Sequence, residues 1–248
     1  DMATAAPKSS PALAVVLFTI LLDGMGVGIM IPVLPALMLD VLPQADLATA
    51  TLWGGVLSTV FALMQFLFSP ALGSLSDARG RKPILLVSLF VMVFYYLVMA
   101  LATSIWVLFV GRIVGGITAA TQSTASAYVA DISRPDQKAT RFGYIGAAFG
   151  MGFVLGPVLG GLLGEWGARA PFYAAALLAA LNFVVCAIYL NESIAKEDRK
   201  PFHGRSINPF AAILDIGRFS GLRVLLIVFL LFSIGTSVYA AIWPFFTL

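Results

Sequence analysis

Four charged residues within six positions, Asp77 to Lys82, separate two long segments that contain almost no charge. The segments are residues 51–76 and 83–102. A membrane-spanning helix needs about 20 mostly apolar residues, and lipid offers its backbone no hydrogen-bond partners outside the helix itself. A charged, glycine-containing stretch between two segments of this length predicts a tight loop at a membrane surface.

The composition agrees with several such segments. The 248 residues are 60% hydrophobic and 11% charged, whereas soluble domains carry about 25% charged residues. We therefore expect an all-α membrane protein with seven transmembrane helices. The predicted spans are residues 12–38, 52–75, 83–102, 105–130, 142–166, 171–190 and 222–246.

The basic residues fall on one side of these spans. Of 15 Lys and Arg, 13 precede the first span or follow the second, fourth and sixth, whereas the opposite loops hold only Arg169. Because Lys and Arg concentrate on the cytoplasmic side of membranes, the N-terminus is predicted to be cytoplasmic. A seven-helix receptor is disfavoured, since that class requires the opposite orientation.

The domain organisation follows from the same pattern. Asn208 and Pro209 predict the start of an amphipathic helix at the cytoplasmic interface. Four regions are expected: a disordered N-terminus at residues 1–11, a six-helix bundle at 12–191, a cytoplasmic linker at 192–221 and a seventh transmembrane helix at 222–248.

The residue inventory argues against enzyme chemistry. Cys186 is the only cysteine, which excludes an intramolecular disulfide and a cysteine-based metal cluster. There is one histidine, and neither an HExxH nor a GxxxxGK[ST] motif occurs. We expect no metal, no cofactor and no nucleic-acid partner.

Two ionisable residues lie inside predicted spans. Asp23 is near the middle of the first span, and Arg112 is in the fourth. Insertion scales put such a charge at about 2.5 to 3.5 kcal/mol at a helix centre, so it usually faces a cavity or a partner. A carboxyl in apolar surroundings can exchange protons near neutral pH, whereas an arginine holds a carboxylate or binds carbonyls. The alternatives are a structural ion pair or a charge that reaches the interface.

Glycines crowd two of the spans. Three glycines and two prolines follow Asp23, and interrupted helices of this kind line cavities in transporters. The fifth span has glycines every four residues, which lets another helix approach at backbone distance. These glycines are Gly152, Gly156, Gly160 and Gly164. They form either a dimerisation face or a groove on which helices rock.

A polar stripe marks the fourth span. Arg112, Ala119, Ser123 and Ser126 share one face at helical spacing, with Gln122 to one side. Such a stripe faces the protein interior, where it lines a cavity or makes hydrogen bonds between helices.

These residues together resemble the major facilitator superfamily, and within it the proton-coupled drug antiporters of the tetracycline-efflux type. Gly73-x3-Asp77-x2-Gly80-Arg81-Lys82 is similar to the signature loop between helices 2 and 3. Leu108-x3-Arg112-x3-Gly116 is similar to the helix-4 arginine motif. Gly152-x3-Gly156-Pro157-x2-Gly160-Gly161 resembles the antiporter motif of helix 5. The resemblance covers residues 17–246.

The resemblance implies alternating-access efflux of a small lipophilic drug from the cell through the inner membrane, driven by the proton gradient. Asp23 and Arg112 are implied to couple protons or substrate. The implied cavity residues are Gln65, Tyr95, Gln122, Ser123 and Ser126. The implied cytoplasmic gate comprises Gly73, Asp77, Arg79, Gly80, Arg81, Lys82 and Asp131. The implied antiporter motif comprises Gly152, Gly156, Pro157, Gly160 and Gly161.

Three departures from the family pattern matter. Ala78 stands where the family has an arginine, so one arm of the gate is moved or missing. Tyr95 stands where tetracycline exporters carry an acid, which favours a more apolar or aromatic substrate. The superfamily has twelve helices in two halves, so this chain is expected to need a C-terminal half or a second copy. A non-transporting scaffold half, and a uniporter or symporter of the same superfamily, remain alternatives.

Overall fold

The computed structural model of the chain describes residues 10–119, 121–199, 202, 208–210 and 224–236. These residues are organised into long helices joined by short connections. The helices of more than ten residues are α1 (Ser10–Val41), α2 (Leu47–Arg79), α3 (Arg81–Leu101), α4 (Ile105–Thr118), α5 (Thr121–Asp131), α6 (Lys138–Gly164), α7 (Ala170–Tyr189) and α8 (Val224–Thr236).

Within the described residues, six segments are long and apolar enough to cross a membrane, and they match the first six predicted spans. The fourth comprises α4 and α5 together, Ile105–Asp131. The helix α8 covers part of the predicted seventh span, and the remainder of that span lies outside the described residues. Residues 1–9 and most of the predicted interfacial helix also lie outside them, although Asn208 Oδ1 accepts a hydrogen bond from the Phe210 backbone N–H at 2.9 Å.

The predicted loop at residues 77–82 is much shorter than expected. Asp77 and Arg79 belong to the last turn of α2, and Gly80 alone separates α2 from α3. Gly80 has a φ of 107°, a backbone conformation that residues other than glycine rarely adopt. Its N–H donates to the Ser76 carbonyl at 3.0 Å, which closes the end of α2.

The fourth span is interrupted where the sequence predicts one continuous helix. The Thr118 hydroxyl donates to the carbonyls of Val114 and Gly115, at 2.9 and 3.3 Å, and such back-bonding competes with the helical ladder. Ala119 leaves the helical conformation with a ψ of 53°, and α5 begins at Thr121. The predicted polar face from Arg112 to Ser126 is therefore broken in the middle.

The buried apolar residues form two clusters that lie one above the other along the bundle. In α1, one cluster contains Val16 and Ile20 and the other contains residues from Ile29 onward. Asp23 falls between them on α1, and Asn182 occupies the equivalent position on α7. A polar layer therefore crosses the bundle between two apolar layers.

Candidate functional site

A cavity of about 380 Å³ opens among α1, α2, α3, α6 and the junction of α4 with α5. Its wall combines aromatic and thioether side chains with a few polar groups, as is typical of small-molecule sites. Among the described residues, one acidic and one basic residue line it. The lining residues that bear on its chemistry are Asp23, Met30, Phe61, Gln65, Met92, Tyr95, Tyr96, Arg112, Thr121, Gln122 and Phe149.

Asp23 is partly buried and lies in the wall of this cavity. It also borders a second, smaller cavity of about 20 Å³, which has room for roughly one water molecule. Tyr96 and Asn182 line that smaller cavity with it. Asp23 therefore borders both a ligand-sized cavity and a much smaller, mostly apolar one.

Arg112 is 5% exposed and lines the same large cavity. Its guanidinium carbon lies 5.6 Å from the centroid of the Phe61 ring, and Nη1 lies 3.9 Å from the Met30 sulfur. Its Nε atom has no hydrogen-bond partner in the part of the chain that the structure describes. Arg112 and Asp23 share the cavity, yet neither takes part in any of the ion pairs found among the described residues.

The remaining cavity candidates divide into two groups. Gln65, Tyr95 and Gln122 line the cavity, and Gln65 Nε2 also donates to the Ala119 carbonyl at 3.3 Å. Ser123 and Ser126 are not among its lining residues, because the break after Thr118 changes the face that α5 presents. The sequence did not single out Phe61, Met30 or Thr121, since apolar residues and threonines are common in any membrane span.

Arg81, the first residue of α3, joins the ends of two other helices. Its guanidinium contacts Asp77 Oδ1 at 2.5 Å and Ser76 Oγ at 2.6 Å, both on α2. It also donates from Nε to Asp131 Oδ2 at 3.0 Å, at the end of α5. Arginine suits this place because its planar fork makes several charge-assisted hydrogen bonds at once.

Glu192 completes this group from the chain that follows α7. Its Oε1 accepts the Arg81 N–H at 2.8 Å and the Ser193 N–H at 3.0 Å. A carboxylate is favourable there because the N-terminus of a helix carries partial positive charge. Glycine suits position 80 because of its φ of 107°, and a Cβ there would also displace the Glu192 carboxylate. We call Ser76, Asp77, Arg81, Asp131 and Glu192 the Arg81 cluster.

The other residues predicted for the gate make fewer polar contacts than Arg81 does. Lys82 donates to the Ala187 carbonyl of α7 at 3.0 Å. Arg79 is exposed and has no ion pair within the part of the chain that the structure describes. Gly73 faces open space. No role was predicted for Glu192, although an acidic residue just after the sixth span indicated that a partner for the basic motif was available.

The glycines of α6 pack against α1. A methyl group at Gly156 would lie 2.6 Å from the Gly28 Cα, and one at Gly160 would lie 2.7 Å from the Ile29 carbonyl oxygen. A methyl group at Gly152 would approach the Leu21 carbonyl oxygen still more closely. Gly161 and Gly164 face open space, so the stripe that touches α1 ends at Gly160.

Six apolar spans, five of which line a cavity with aromatic, acidic and basic side chains, are typical of an α-helical membrane transporter. Residues 16–248 match the family model of the Major Facilitator Superfamily, and the chain belongs to that superfamily. The predicted all-α membrane fold of this superfamily is thereby confirmed, and the family is one of transporters and not of enzymes.

Curated relatives agree with this assignment. The chain is 42% identical to the class C tetracycline resistance protein of Escherichia coli over 96% of this chain and 59% of that protein. It is 41% identical to the class G tetracycline resistance protein of Vibrio anguillarum, over 90% and 56%. It is 36% identical to the quinolone resistance protein NorA of Staphylococcus aureus, over 72% and 45%. The chain therefore spans less than three fifths of the length of these relatives.

A solved structure gives the same fold. The human organic anion transporter MFSD10 matches with a TM-score of 0.69 and 27% identity, over 79% of this chain and 50% of that one. The resemblance to tetracycline-efflux proteins predicted from the motifs is confirmed at the level of the family and its relatives.

Proposed function

We propose that this chain forms the N-terminal part of a proton-coupled drug exporter that works by alternating access. The observation that carries the proposal is the position of Asp23. It lies inside a membrane span, between two apolar layers, in the wall of a cavity large enough for a small drug. The energy source is the proton gradient, and the proposed mechanism requires no cofactor.

Asp23 couples the inward movement of protons to the outward movement of drug, because both bind at its carboxyl group. In the proposed exchange, the carboxyl of Asp23 holds a proton while no drug is bound. When the positively charged part of a drug enters the cavity, the proton leaves and the carboxylate binds the drug. Proton and drug therefore compete for one group, which is the simplest physical basis for exchange.

Two features support a change of access. The Arg81 cluster ties α2, α3 and α5 together at one end of the bundle through polar contacts and not through interlocked apolar side chains. The backbone contact between α1 and α6 leaves no side chains interlocked at Gly28 and Gly156. We infer that the cluster closes the cytoplasmic side and that α1 and α6 move against each other.

The substrate class follows from the relatives and the cavity. The named relatives include tetracycline, quinolone and multidrug resistance proteins. The aromatic wall at Phe61, Tyr95 and Tyr96 suits a flat lipophilic drug. Tyr95 in place of an acid favours a more aromatic substrate than tetracycline.

The topology completes the proposal. The N-terminus is cytoplasmic in an inner-membrane protein, residues 12–191 form the transport bundle, and residues 192–221 form the linker to a helix at 222–248. The opposite wall of the transport path comes from further helices or from a second copy of this chain.

Transport in proteoliposomes tests the proposal. A proton gradient should drive uptake of ethidium, a fluorescent lipophilic cation, into inside-out vesicles, and Asp23→Asn should abolish the gradient dependence. Asp40→Asn is the matched control, because Asp40 lies on the same helix but pairs with Arg169 outside the cavity. Transport that ignores the gradient would indicate a uniporter. Proton-coupled transport that survives Asp23→Asn would refute the role of Asp23.

A further inference from the structure

We propose that Tyr96 is a positioning residue for Asp23. Its hydroxyl occupies the space left open at Gly26 and supports the ionised Asp23 carboxylate through one water molecule. Tyr96 thereby sets the pH at which Asp23 releases its proton. This inference rests on the proposed exchange at Asp23, and it gives a role in that exchange to a tyrosine for which the sequence predicted none.

Tyr96 of α3 reaches α1 at Gly26. A methyl group at Gly26 would overlap with the Tyr96 hydroxyl and would lie 3.0 Å from the ring carbon that carries it. The hydroxyl therefore occupies the place where a side chain at position 26 would begin. Residues three positions apart on a helix have Cβ atoms about 5 to 6 Å apart, so this hydroxyl lies about one helical turn from the Asp23 carboxyl group. Asp23 is near enough for its charge to act on Tyr96.

The small cavity of about 20 Å³ lies between these two groups. Asp23 and Tyr96 both line it, together with Asn182 of α7. Most of its wall is apolar, but the three polar side chains give a water molecule the roughly two to four partners that it needs, and the volume is sufficient for one. No direct hydrogen bond joins Asp23 to Tyr96. A water that accepts the tyrosine hydrogen and donates to the carboxylate completes the link.

The Tyr96 hydroxyl is available for this contact, whereas that of its neighbour is not. Tyr95 donates to the Met30 sulfur at 3.6 Å. Tyr96 is 5% exposed, and its hydroxyl has no hydrogen-bond partner among the described residues. A tyrosine hydroxyl can donate one hydrogen bond, and an ionised carboxylate only accepts them. Because hydrogen bonds to the charged form of an acid favour that form, Tyr96 makes the loss of the Asp23 proton easier.

Other polar groups face Asp23 from several helices. In the large cavity, Tyr95 of α3 and Arg112 of α4 share its wall. Around the small cavity, α7 contributes Asn182, and the Cys186 thiol lies one turn further along that helix. The side chains that α2, α5 and α6 contribute to the large cavity do not titrate, and those that bear on it are Ser58, Phe61, Gln65, Thr121, Gln122 and Phe149. Removal of one tyrosine hydroxyl leaves all of these groups in place, so a shift in the ionisation of Asp23 reports that hydroxyl.

Infrared titration measures the ionisation of Asp23 directly. The protonated carboxyl gives a C=O stretching band, which is assigned by its absence in Asp23→Asn. With the purified chain in lipid nanodiscs and no drug present, the midpoint pH of this band should rise by about 0.5 to 1 unit in Tyr96→Phe, the effect of one hydrogen bond. Tyr128→Phe is the matched control, because its buried hydroxyl donates to the Asn191 carbonyl at 2.8 Å. That control should leave the midpoint unchanged.

Gly26→Ala provides a second, independent change. Its methyl group displaces the Tyr96 hydroxyl without removing it, so the midpoint should rise here too, and Gly26→Ala added to Tyr96→Phe should raise it little further. The proposal is overturned if the midpoint in Tyr96→Phe is unchanged or falls, if Tyr128→Phe raises it equally, or if no band depends on Asp23.

The titration contains no drug, so its result is separate from that of the proposed function. A raised midpoint in Tyr96→Phe, in a chain that releases no proton when it binds a cationic drug, would refute exchange at Asp23 and leave the role of Tyr96 standing. Proton release on drug binding together with an unchanged midpoint in Tyr96→Phe would do the reverse.

Discussion

Gly28 of α1 and Gly156 of α6 meet backbone to backbone: a methyl group at Gly156 would lie 2.6 Å from the Gly28 Cα. Real side-chain carbons do not approach so closely, so neither position accepts a larger residue without a shift of the helices. This contact lies on the helix that carries Asp23, and it therefore fixes how the cavity wall is placed.

Gly156→Ala should lower the stability of the bundle by about 1 to 3 kcal/mol, the usual cost of overpacking a close contact. Gly161→Ala is the control five residues further on, because its new methyl group meets only open space. That control should be neutral or slightly stabilising, since alanine is the better helix former. Unfolding by SDS titration measures both. Equal effects at the two positions would contradict the backbone contact.

Arg81→Lys should weaken the Arg81 cluster by about 2 kcal/mol. Lysine keeps the charge but cannot hold Asp77, Ser76 and Asp131 together, and hydrogen bonds to charged groups contribute about 1.5 to 3 kcal/mol each. Arg134→Lys is the matched control, because its pair with Asp136 is 74% and 61% exposed and such pairs contribute little. SDS titration measures the free energy of unfolding of both variants. Similar losses of stability would show that the Arg81 cluster stabilises the bundle no more than the exposed pair does.

Asp46, in the loop before α2, should make the start of that helix sensitive to acid. Hydrogen bonds from the Thr49 side chain and from its backbone N–H lower the pKa of Asp46. Its stabilisation is therefore present above the ordinary aspartate pKa of about 3.9, and it is lost as the pH falls through the lower value of the folded state.

Amide hydrogen exchange of residues 47–50 measures this effect. Asp46→Ala should speed exchange near neutral pH, and the difference from the unaltered chain should shrink as the pH falls below about 3.9. Asp136→Ala should leave these amides unaffected. A difference that stays constant down to low pH would show that the charge of Asp46 has no role in capping α2.

Much of this fold could be predicted from the sequence, because membrane spans are recognised by their length and their lack of charge. The first six spans and the glycine stripe of α6 were predicted from residue types alone. The partner of that stripe was not, since spacing shows that a helix can approach but not which one. Only the structure identifies α1 as the partner at Gly152, Gly156 and Gly160.

Other features depend on contacts that no local pattern encodes. The break after Thr118 lies in a segment that remains apolar enough to span, and two hydrogen bonds of the Thr118 hydroxyl accompany it. Glu192 reaches Arg81 across 111 positions of sequence, so its place in the cluster follows from the tertiary fold. The absence of a pair between Asp23 and Arg112 could likewise not be read from their spacing.

The central claim is that Asp23 exchanges its proton for drug. Proton release on binding tests it most directly, with tetraphenylphosphonium as the probe, since this cation has no titratable group of its own. In weakly buffered detergent solution near neutral pH, the chain should release up to one proton for each cation bound. Asp23→Asn should bind without release, and Asp40→Asn should behave like the unaltered chain. Binding without proton release by the unaltered chain, or equal release by Asp23→Asn, would contradict the account.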